Sequence, residues 1–401
     1  MGRLNNKRIT VVDQLRGFSL LGILMANMLI FQYGMYGKDE LEHFSVSKFD
    51  HITRHLIEIF IETSFMPIFA FLFGYGMIKM KEKLEVKRLP VKRYLARRFL
   101  LLSIIGYLHG SYLWEGDILF IYGMIGFILL LFLKRRTKTI LIWAIALLLI
   151  TTFLSYGGKE VDAPIDEASV MEDHIEKSKK VYQNGSYADI LAFSSEDPFF
   201  EMFTEEELAA TLLITPFILL PMFLFGMYAA NRKWFVNLDR YQKRWRRLAI
   251  LFIVSGIALK SLPLMINEEG ITNLCFSLGG PVLAFGYIFA FSVLFHHKSY
   301  DMVVKGLEAV GKLSLSNYLL QTMVCISIFY GYGLGLFGKL GVLSGVGLSI
   351  VIFAIQMMVS FYYIKRFRSG PFEKMMRIWT YLSWSGRLKV KHEIQLQDKV
   401  S

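Results

Sequence analysis

The chain has 401 residues, of which 54% are hydrophobic, 15% aromatic and only 19% charged, and its mean hydropathy is +0.43. That balance excludes a soluble globular protein and points to an all-α, polytopic membrane bundle. The net charge of +12 is accounted for by topology and anionic lipid, so nucleic-acid binding is not needed to explain it.

Apolar runs near the roughly 20 residues that cross a hydrocarbon core of about 30 Å recur along the chain. Ten are expected, at 14–36, 56–78, 99–113, 117–133, 139–157, 208–230, 248–265, 272–295, 313–331 and 341–363. The third and fourth are short and separated only by "WEGD", which reads as a tight helical hairpin or a partly re-entrant pair. The first run is too long, and too far from any small-residue cleavage site, for a signal peptide, and is expected to be a retained helix.

Segments 1–13, 79–98, 134–138, 231–247, 296–312 and 364–401 carry 35 of the 45 Lys and Arg, whereas 158–207 carries 14 of the 33 acidic residues and four Lys. Basic loops stay on the cytoplasmic side, so both termini are expected there, after an even number of crossings. The chain then reads as one transmembrane domain, 1–401, of the cell membrane. Residues 1–157 form a first five-helix half, 158–207 an acidic extracytoplasmic insert, 208–363 a second five-helix half and 364–401 a basic cytoplasmic tail. Cys275 and Cys325 sit in apolar runs with no His or Cys at ligand spacing, so they read as small core residues, with no metal site and no disulfide framework.

Ionisable side chains inside lipid are costly and mark candidate sites. In "VVDQLRGFSLLGILMANML", Asp13 and Arg16 are three apart and can pair on one face, and Asn27 lies eleven residues beyond, about 16 Å up the helix. They read as a helix anchor with an interhelical bond, or as contacts along a substrate path. In "HITRHLIEIFIETSF", His51, His55, Glu58 and Glu62 fall on one helical stripe, either a metal-capable or path-lining stripe or an ordinary interfacial one. Pro67, Gly74 and Gly76 follow and suggest a kinked, closely packed half.

In "YLHGSYLWEGDILF", His109, Glu115 and Asp117 gather at the hairpin. An imidazole exchanges protons near neutral pH, and a carboxylate accepting its other N–H fixes its tautomer. His109 is therefore a candidate general base, with Asp117 orienting it; the plainer alternative is a histidine bonded to a carbonyl of its own turn. In "GKLSLSNYLLQTMVCISIF", Asn317 and Gln321 share one face and Ser314 and Tyr318 another, for interhelical bonding or a polar cavity lining.

Within the insert, "QNGSY" signals a turn between helix-compatible stretches, and Thr204 ahead of three Glu is an expected N-cap for the sixth span. "NRKWFVNLDRYQKRWRR" and "FRSGPFEKMMRIWTYLSW" interleave aromatic and basic residues, as helices in the headgroup region do, or as a pocket for an anionic cofactor would.

"VVDQLRGFSLLGILMANM", "FLFGYGM", "RRFLLLSIIGYLHGSYLWEGDILFIYGMIGFILL", "LFGMYAANRKWF", "GKLSLSNYLLQTMVCISIFYGYGLGLFG" and "FRSGPFEKMMRIWTY" occur in the order found in the bacterial YeiB-like membrane proteins, a domain-of-unknown-function family. The chain resembles that family over nearly its whole length outside 158–207. It is also distantly similar to the transmembrane acyltransferase superfamily, which includes a lysosomal glucosaminide acetyltransferase and bacterial enzymes that decorate surface glycans. The "D-x-x-R-G" of those enzymes falls on Asp13, Arg16 and Gly17, but their histidine eleven positions after the Arg is replaced here by Asn27, so a base must come from elsewhere. His109 is the first choice and His51 and His55 the second.

That resemblance implies an acyl-CoA or acetyl-CoA donor on the cytoplasmic side and a small-molecule, lipid or glycan acceptor on the outer side. Arg97, Arg98, Arg368 and Arg377 would hold CoA phosphates, since guanidinium groups bind phosphate bidentately. The competing expectation is a proton-coupled transporter or channel for a small solute, with the same His, Glu and Asp as a relay. A homodimer is left open.

Overall fold

The computed structural model describes residues 9–156, 165–195, 205–236, 238–266, 268–295 and 301–386; Thr204 and the end of the basic tail lie outside them. The described residues are helical, without strands. Seven stretches among them are long and apolar enough to cross a membrane: Thr10–Gly37, Lys48–Val86, Thr137–Tyr156, Ile214–Asn231, Leu238–Leu264, Glu269–Phe295 and Val342–Arg366. Three other expected spans take different forms. The 99–113 run belongs to a longer helix whose first turns are basic, Val91–Tyr112. The 117–133 and 313–331 runs give shorter helices, Leu119–Leu129 and Ser314–Phe329.

The long first helix, α1 (Thr10–Gly37), is interrupted by Gly34 at φ +81°, a left-handed conformation that glycine adopts without the steric cost of a Cβ. The expected continuous span at 56–78 is instead two helices, α2 (Lys48–Phe60) and α3 (Phe65–Val86). Thr63 between them has φ +55°. In a membrane a broken helix persists only where its released carbonyls find donors. Here the Tyr287 hydroxyl donates to the Phe60 carbonyl at 2.9 Å, and the Lys260 ammonium donates to the Glu62 carbonyl at 2.5 Å and to the Ser64 hydroxyl at 3.3 Å.

Helices α4 (Val91–Tyr112) and α5 (Leu119–Leu129) form the hairpin expected around "WEGD". They lie almost backbone to backbone: a Cβ on Gly106 would stand 2.1 Å from the Phe120 nitrogen, and one on Gly123 2.2 Å from the Ser103 hydroxyl. At about 1.5 Å per residue the 11-residue α5 is near 16 Å long, short of a full crossing. After α6 (Thr137–Tyr156), the insert contributes α7 (Ile165–Asn184) and α8 (Tyr187–Ser194). The turn at "NGS" is present, with Ser186 and Asp189 forming a capping box on α8.

The second half holds α9 (Glu205–Asn231), α10 (Leu238–Ser261), α11 (Glu269–Phe295), α12 (Met302–Lys312), α13 (Ser314–Phe329), α14 (Val342–Arg366) and α15 (Pro371–Tyr381). The basic-aromatic stretch 231–247 is not one interfacial helix. It turns between α9 and α10, with Lys233 at φ +54°, and buries Phe235 and Trp245 in edge-on contact at 5.8 Å. Packing aromatic rings into the bundle removes more apolar surface than a headgroup site would. The second such stretch does form an amphipathic helix, α15. It docks on α4 through the Trp379 indole N–H, which donates to the Arg97 carbonyl at 2.8 Å, and on α13 through Glu373, which accepts from the Leu315 and Ser316 amides at 2.9 and 3.1 Å.

Candidate functional site

The strongest titratable constellation is built at the α4–α5 hairpin. The glycine contacts that press α5 against α4 bring Asp117, just ahead of α5, under His109 in the last turn of α4. Trp114 in the connecting turn stacks on Phe31 of α1 at 4.3 Å, which ties the hairpin to the bundle. His109 Nδ1 and Asp117 Oδ1 are 2.9 Å apart, and each side chain is only 2% exposed.

Three further donors converge on the same carboxylate. The Leu119 and Phe120 amides donate to Oδ2 at 2.9 and 3.3 Å, and the Tyr318 hydroxyl of α13 donates to Oδ1 at 3.3 Å. A carboxylate accepting throughout puts the imidazole proton on Nδ1 and leaves the lone pair on Nε2. That Nε2 is buried and has no hydrogen-bond partner among the described residues. Buried polar atoms are nearly always satisfied, so a buried imidazole nitrogen that no described side chain or amide satisfies is suited to take a proton from a bound molecule.

Tyr318 also belongs to the wall of a chamber of about 290 Å³. The chamber runs from Tyr318, Ile118 and Leu119 at the dyad end to Arg16, Arg98 and Met376 at the other. Along α3 its lining extends from Phe69 to Met80, eleven residues or about 16 Å of helix. Arg16 reaches this space past Gly76, where a Cβ would stand 2.9 Å from the guanidinium. It is paired with Asp13 at 3.3 Å. Close packing of α1 on α12 sets this end, since a Cβ on Gly17 would meet the Leu307 carbonyl at 2.1 Å. Arg98 makes no ion pair among the described residues. Arg16 and Arg377 repel it, and Glu373 and Tyr381 attract it.

The structure separates the other expected site residues into groups. Arg97 stacks its guanidinium on Tyr94 at 5.7 Å, and Arg377 is exposed beside the Arg98 end. Arg368 is exposed and does not line the chamber. Asn27 is half-buried and lies outside the chamber lining.

His51 and His55 are exposed. His55 lies 3.4 Å from Glu58, and Glu62 pairs with Arg54 at 3.2 Å. Glu115 points away from the dyad to the Tyr182 hydroxyl of α7 at 3.4 Å. Asn317 and Gln321 are buried and bind helix to helix, Asn317 with Ser360 at 3.0 Å and Gln321 with Gln356 at 2.9 Å. The chamber is therefore lined by the other face of α13, that of Ser314 and Tyr318.

Tyr122 and Lys260 carry no signal in the sequence that marks them as site or core-polar residues, and Tyr318 is expected there only as one of two polar pairs on its helix. The four-residue spacing of Ser314 and Tyr318 was visible, but nothing in the sequence ranked that face above the Asn317 face. Lys260 sits near the end of an apolar run, where a lysine ordinarily reaches out to the headgroups.

A family model described as "Protein of unknown function (DUF418)" matches residues 229–383. The chain is 35% identical over 396 residues to the uncharacterized protein YxaH of Bacillus subtilis (strain 168), covering 95% of this chain and 96% of that one. It is 24% identical over 399 residues to the uncharacterized protein YeiB of Escherichia coli (strain K12), covering 92% and 96%. It is also 25% identical over 377 residues to an uncharacterized 39.9 kDa protein of Bacillus acidopullulyticus, covering 94% of each chain. The chain belongs to the YeiB-like family. The family-model match takes in Tyr318 and the α13–α15 wall of the chamber, whereas His109 and Asp117 precede it.

Proposed function

We propose that this YeiB-like protein transfers an acyl group from a cytoplasmic acyl-CoA to a hydroxyl or amine on the outer side of the cell membrane. The reading takes the ten-span topology with both termini cytoplasmic, so that Arg16 and Arg98 face the donor side and His109 the acceptor side. The observation that carries it is the chamber joining Arg98, a guanidinium with no ion pair among the described residues, to a tyrosine bonded to the His109–Asp117 dyad.

In this mechanism Arg98, with Arg16 and Arg377, holds the phosphates of the donor. The pantetheine arm extends past Phe73 and Tyr122 toward Tyr318. The acceptor oxygen or nitrogen attacks the thioester carbonyl carbon as His109 Nε2 removes its proton. Asp117 stabilises the imidazolium that forms. The carbon–sulfur bond then breaks, and the proton passes from Nε2 to the departing thiolate, which leaves as free CoA-SH. A buried dyad of this kind contributes through general base catalysis, typically about a hundred- to ten-thousandfold.

The test is transfer of radiolabelled acyl groups by the purified protein in proteoliposomes, comparing wild type with His109→Gln. Label appearing outside only with wild type supports the reading; equal transfer by the variant, or none by either with CoA binding absent, overturns it. The transporter reading has one observation of its own, the broken α2–α3 span, since interrupted helices frame solute sites in many transporters. Its mark would be solute flux driven by a pH gradient without any thioester.

A further inference from the structure

We infer that the break between α2 and α3 is a monovalent-cation site, and that its occupant is the chain's own Lys260 ammonium, tied into the site from the last turn of α10. The inference is independent of the acyl-transfer reading. Lys260 is only 1% exposed, yet its hydrogen-bond partners are two uncharged oxygens of the break, the Glu62 carbonyl at 2.5 Å and the Ser64 hydroxyl at 3.3 Å. It makes no ion pair among the described residues. A buried ammonium ordinarily has a carboxylate beside it, because leaving water is otherwise costly. The two acids whose charge reaches it, Glu58 and Glu62, are engaged by Arg54 at 4.0 and 3.2 Å.

Neutral oxygens at an interrupted helix are the donor set that holds alkali cations within membranes, and the carbonyl end of a helix adds its negative dipole. Here the Glu62 carbonyl lies just past the end of α2 at Phe60, and the buried Ser64 hydroxyl immediately precedes α3. The surroundings hold the ammonium to that place. Helix α11 passes the break at backbone distance, since a Cβ on Gly280 would stand 2.5 Å from the Thr63 carbonyl and one on Gly279 2.7 Å from Cγ of Lys260. The lysine stem thus runs in a slot that glycine leaves open, with its Nζ 5.9 Å from the centre of the Phe276 ring. Pro281 follows those glycines inside α11 and has no amide to give the Ser277 carbonyl, so the helix facing the break is itself short of one backbone bond.

A tethered cation cannot leave. The break keeps its charge at every sodium or potassium concentration and has no exchangeable ion to offer, which takes from the transporter reading the alkali-cation coupling that interrupted helices ordinarily supply.

The experiment measures thermal unfolding of the full chain in lipid nanodiscs, in potassium, sodium, methylammonium or choline chloride at equal ionic strength. Wild type should unfold at one temperature in all of them. Lys260→Ala leaves the oxygens without their cation and should unfold about 2–5 °C lower in choline. Methylammonium, which carries the missing charge without its tether, should restore most of that loss. Potassium is close to an ammonium in size and should restore more than sodium, each effect rising with concentration as for a bound ligand. Lys260→Met fills the slot with an apolar chain and should respond to none of the salts. Ser64→Ala added to Lys260→Ala should weaken the potassium response. Equal unfolding of Lys260→Ala in all four salts, its failure to fold in any of them, the same response from Lys260→Met, or a potassium response in wild type would overturn the inference.

Discussion

Two clusters of histidine and carboxylate sit on this protein, and they differ in almost every physical respect. On α2, His55 is 55% exposed and its carboxylate partner Glu58 is 26% exposed, with the ring nitrogen and oxygen 3.4 Å apart. At the α4–α5 hairpin, His109 and Asp117 are 2% exposed and 2.9 Å apart. Water competes for the first pair and screens it, so its coupling is slight. The second is buried, Asp117 is fixed by backbone amides, and the imidazole Nε2 has no partner among the described residues. Both places pair a histidine with a carboxylate, three residues apart on α2 and eight apart at the hairpin; burial and the supporting donors distinguish a reactive dyad from a solvated stripe.

The widest separation between the two clusters is expected in turnover. His109→Ala should lower transfer about a hundred- to ten-thousandfold, while His55→Ala should leave it within about twofold. Equal losses, measured as initial rates in proteoliposomes, would mean that burial does not decide which histidine works. Asp117→Asn should fall with His109→Ala, because an amide can donate to Nδ1 and so favours the wrong tautomer.

Arg98 sharpens the same contrast at the far end of the chamber. A charge-assisted hydrogen bond contributes about 1.5–3 kcal/mol, so Arg98→Ala should weaken CoA binding about ten- to a hundredfold by calorimetry. Arg368→Ala, exposed and away from the chamber, should not. A matching loss in both variants would point to a diffuse surface charge instead of a site.

On the α2 side the largest expected consequence is structural. Lys260→Met would leave the Glu62 carbonyl at the helix break without its donor, a loss of about 1–3 kcal/mol, visible as a lower unfolding temperature with the chemistry of any surviving protein intact. Tyr318→Phe is milder. Its bond to the Asp117 carboxylate is long, 3.3 Å, and removing a contribution of ~0.5–1.5 kcal/mol should slow transfer by about two- to tenfold; an unchanged rate would detach Tyr318 from the dyad.

The sequence made the membrane bundle and the hairpin legible because both rest on local signals: apolar runs of spanning length, and a polar turn between two of them. His109 with Asp117 was legible for the same reason, since eight residues of chain around a tight turn leave few ways to arrange them. The break at Ile61–Ser64 was not. Its cause lies in Lys260 and Tyr287, some two hundred residues downstream, whose donors make the broken carbonyls tolerable. The choice between the two polar faces of α13 was hidden likewise, because Asn317 finds Ser360 and Gln321 finds Gln356 only after α14 has packed. Arg97 and Arg98 are adjacent in sequence and diverge in space, one onto Tyr94 and one into the chamber.

The smallest expected effect tests whether helix capping alone could explain the dyad. Asp189 of α8 is a carboxylate that, like Asp117, accepts from backbone at a helix start; its capping box receives the Ser186 hydroxyl at 2.7 Å and the Ser186 amide at 2.8 Å. Unlike Asp117, it stands in open solvent. The Ser186 side chain, and then the Ser186 amide, hold its carboxyl below the ordinary aspartate value. A lowered folded-state value means that this contribution to stability is fully present above the unfolded pKa, near ~3.9, and is lost as pH falls through the folded one. Asp189→Asn should therefore loosen α8 slightly at neutral pH, seen as faster amide exchange in Tyr187–Ser194, with the difference from wild type vanishing at the acid end. Transfer should be unaffected. If Asp189→Asn slowed transfer as Asp117→Asn does, capping a helix would suffice for the effect, and the burial that separates the hairpin from the rest of the molecule would not be the reason His109 is reactive.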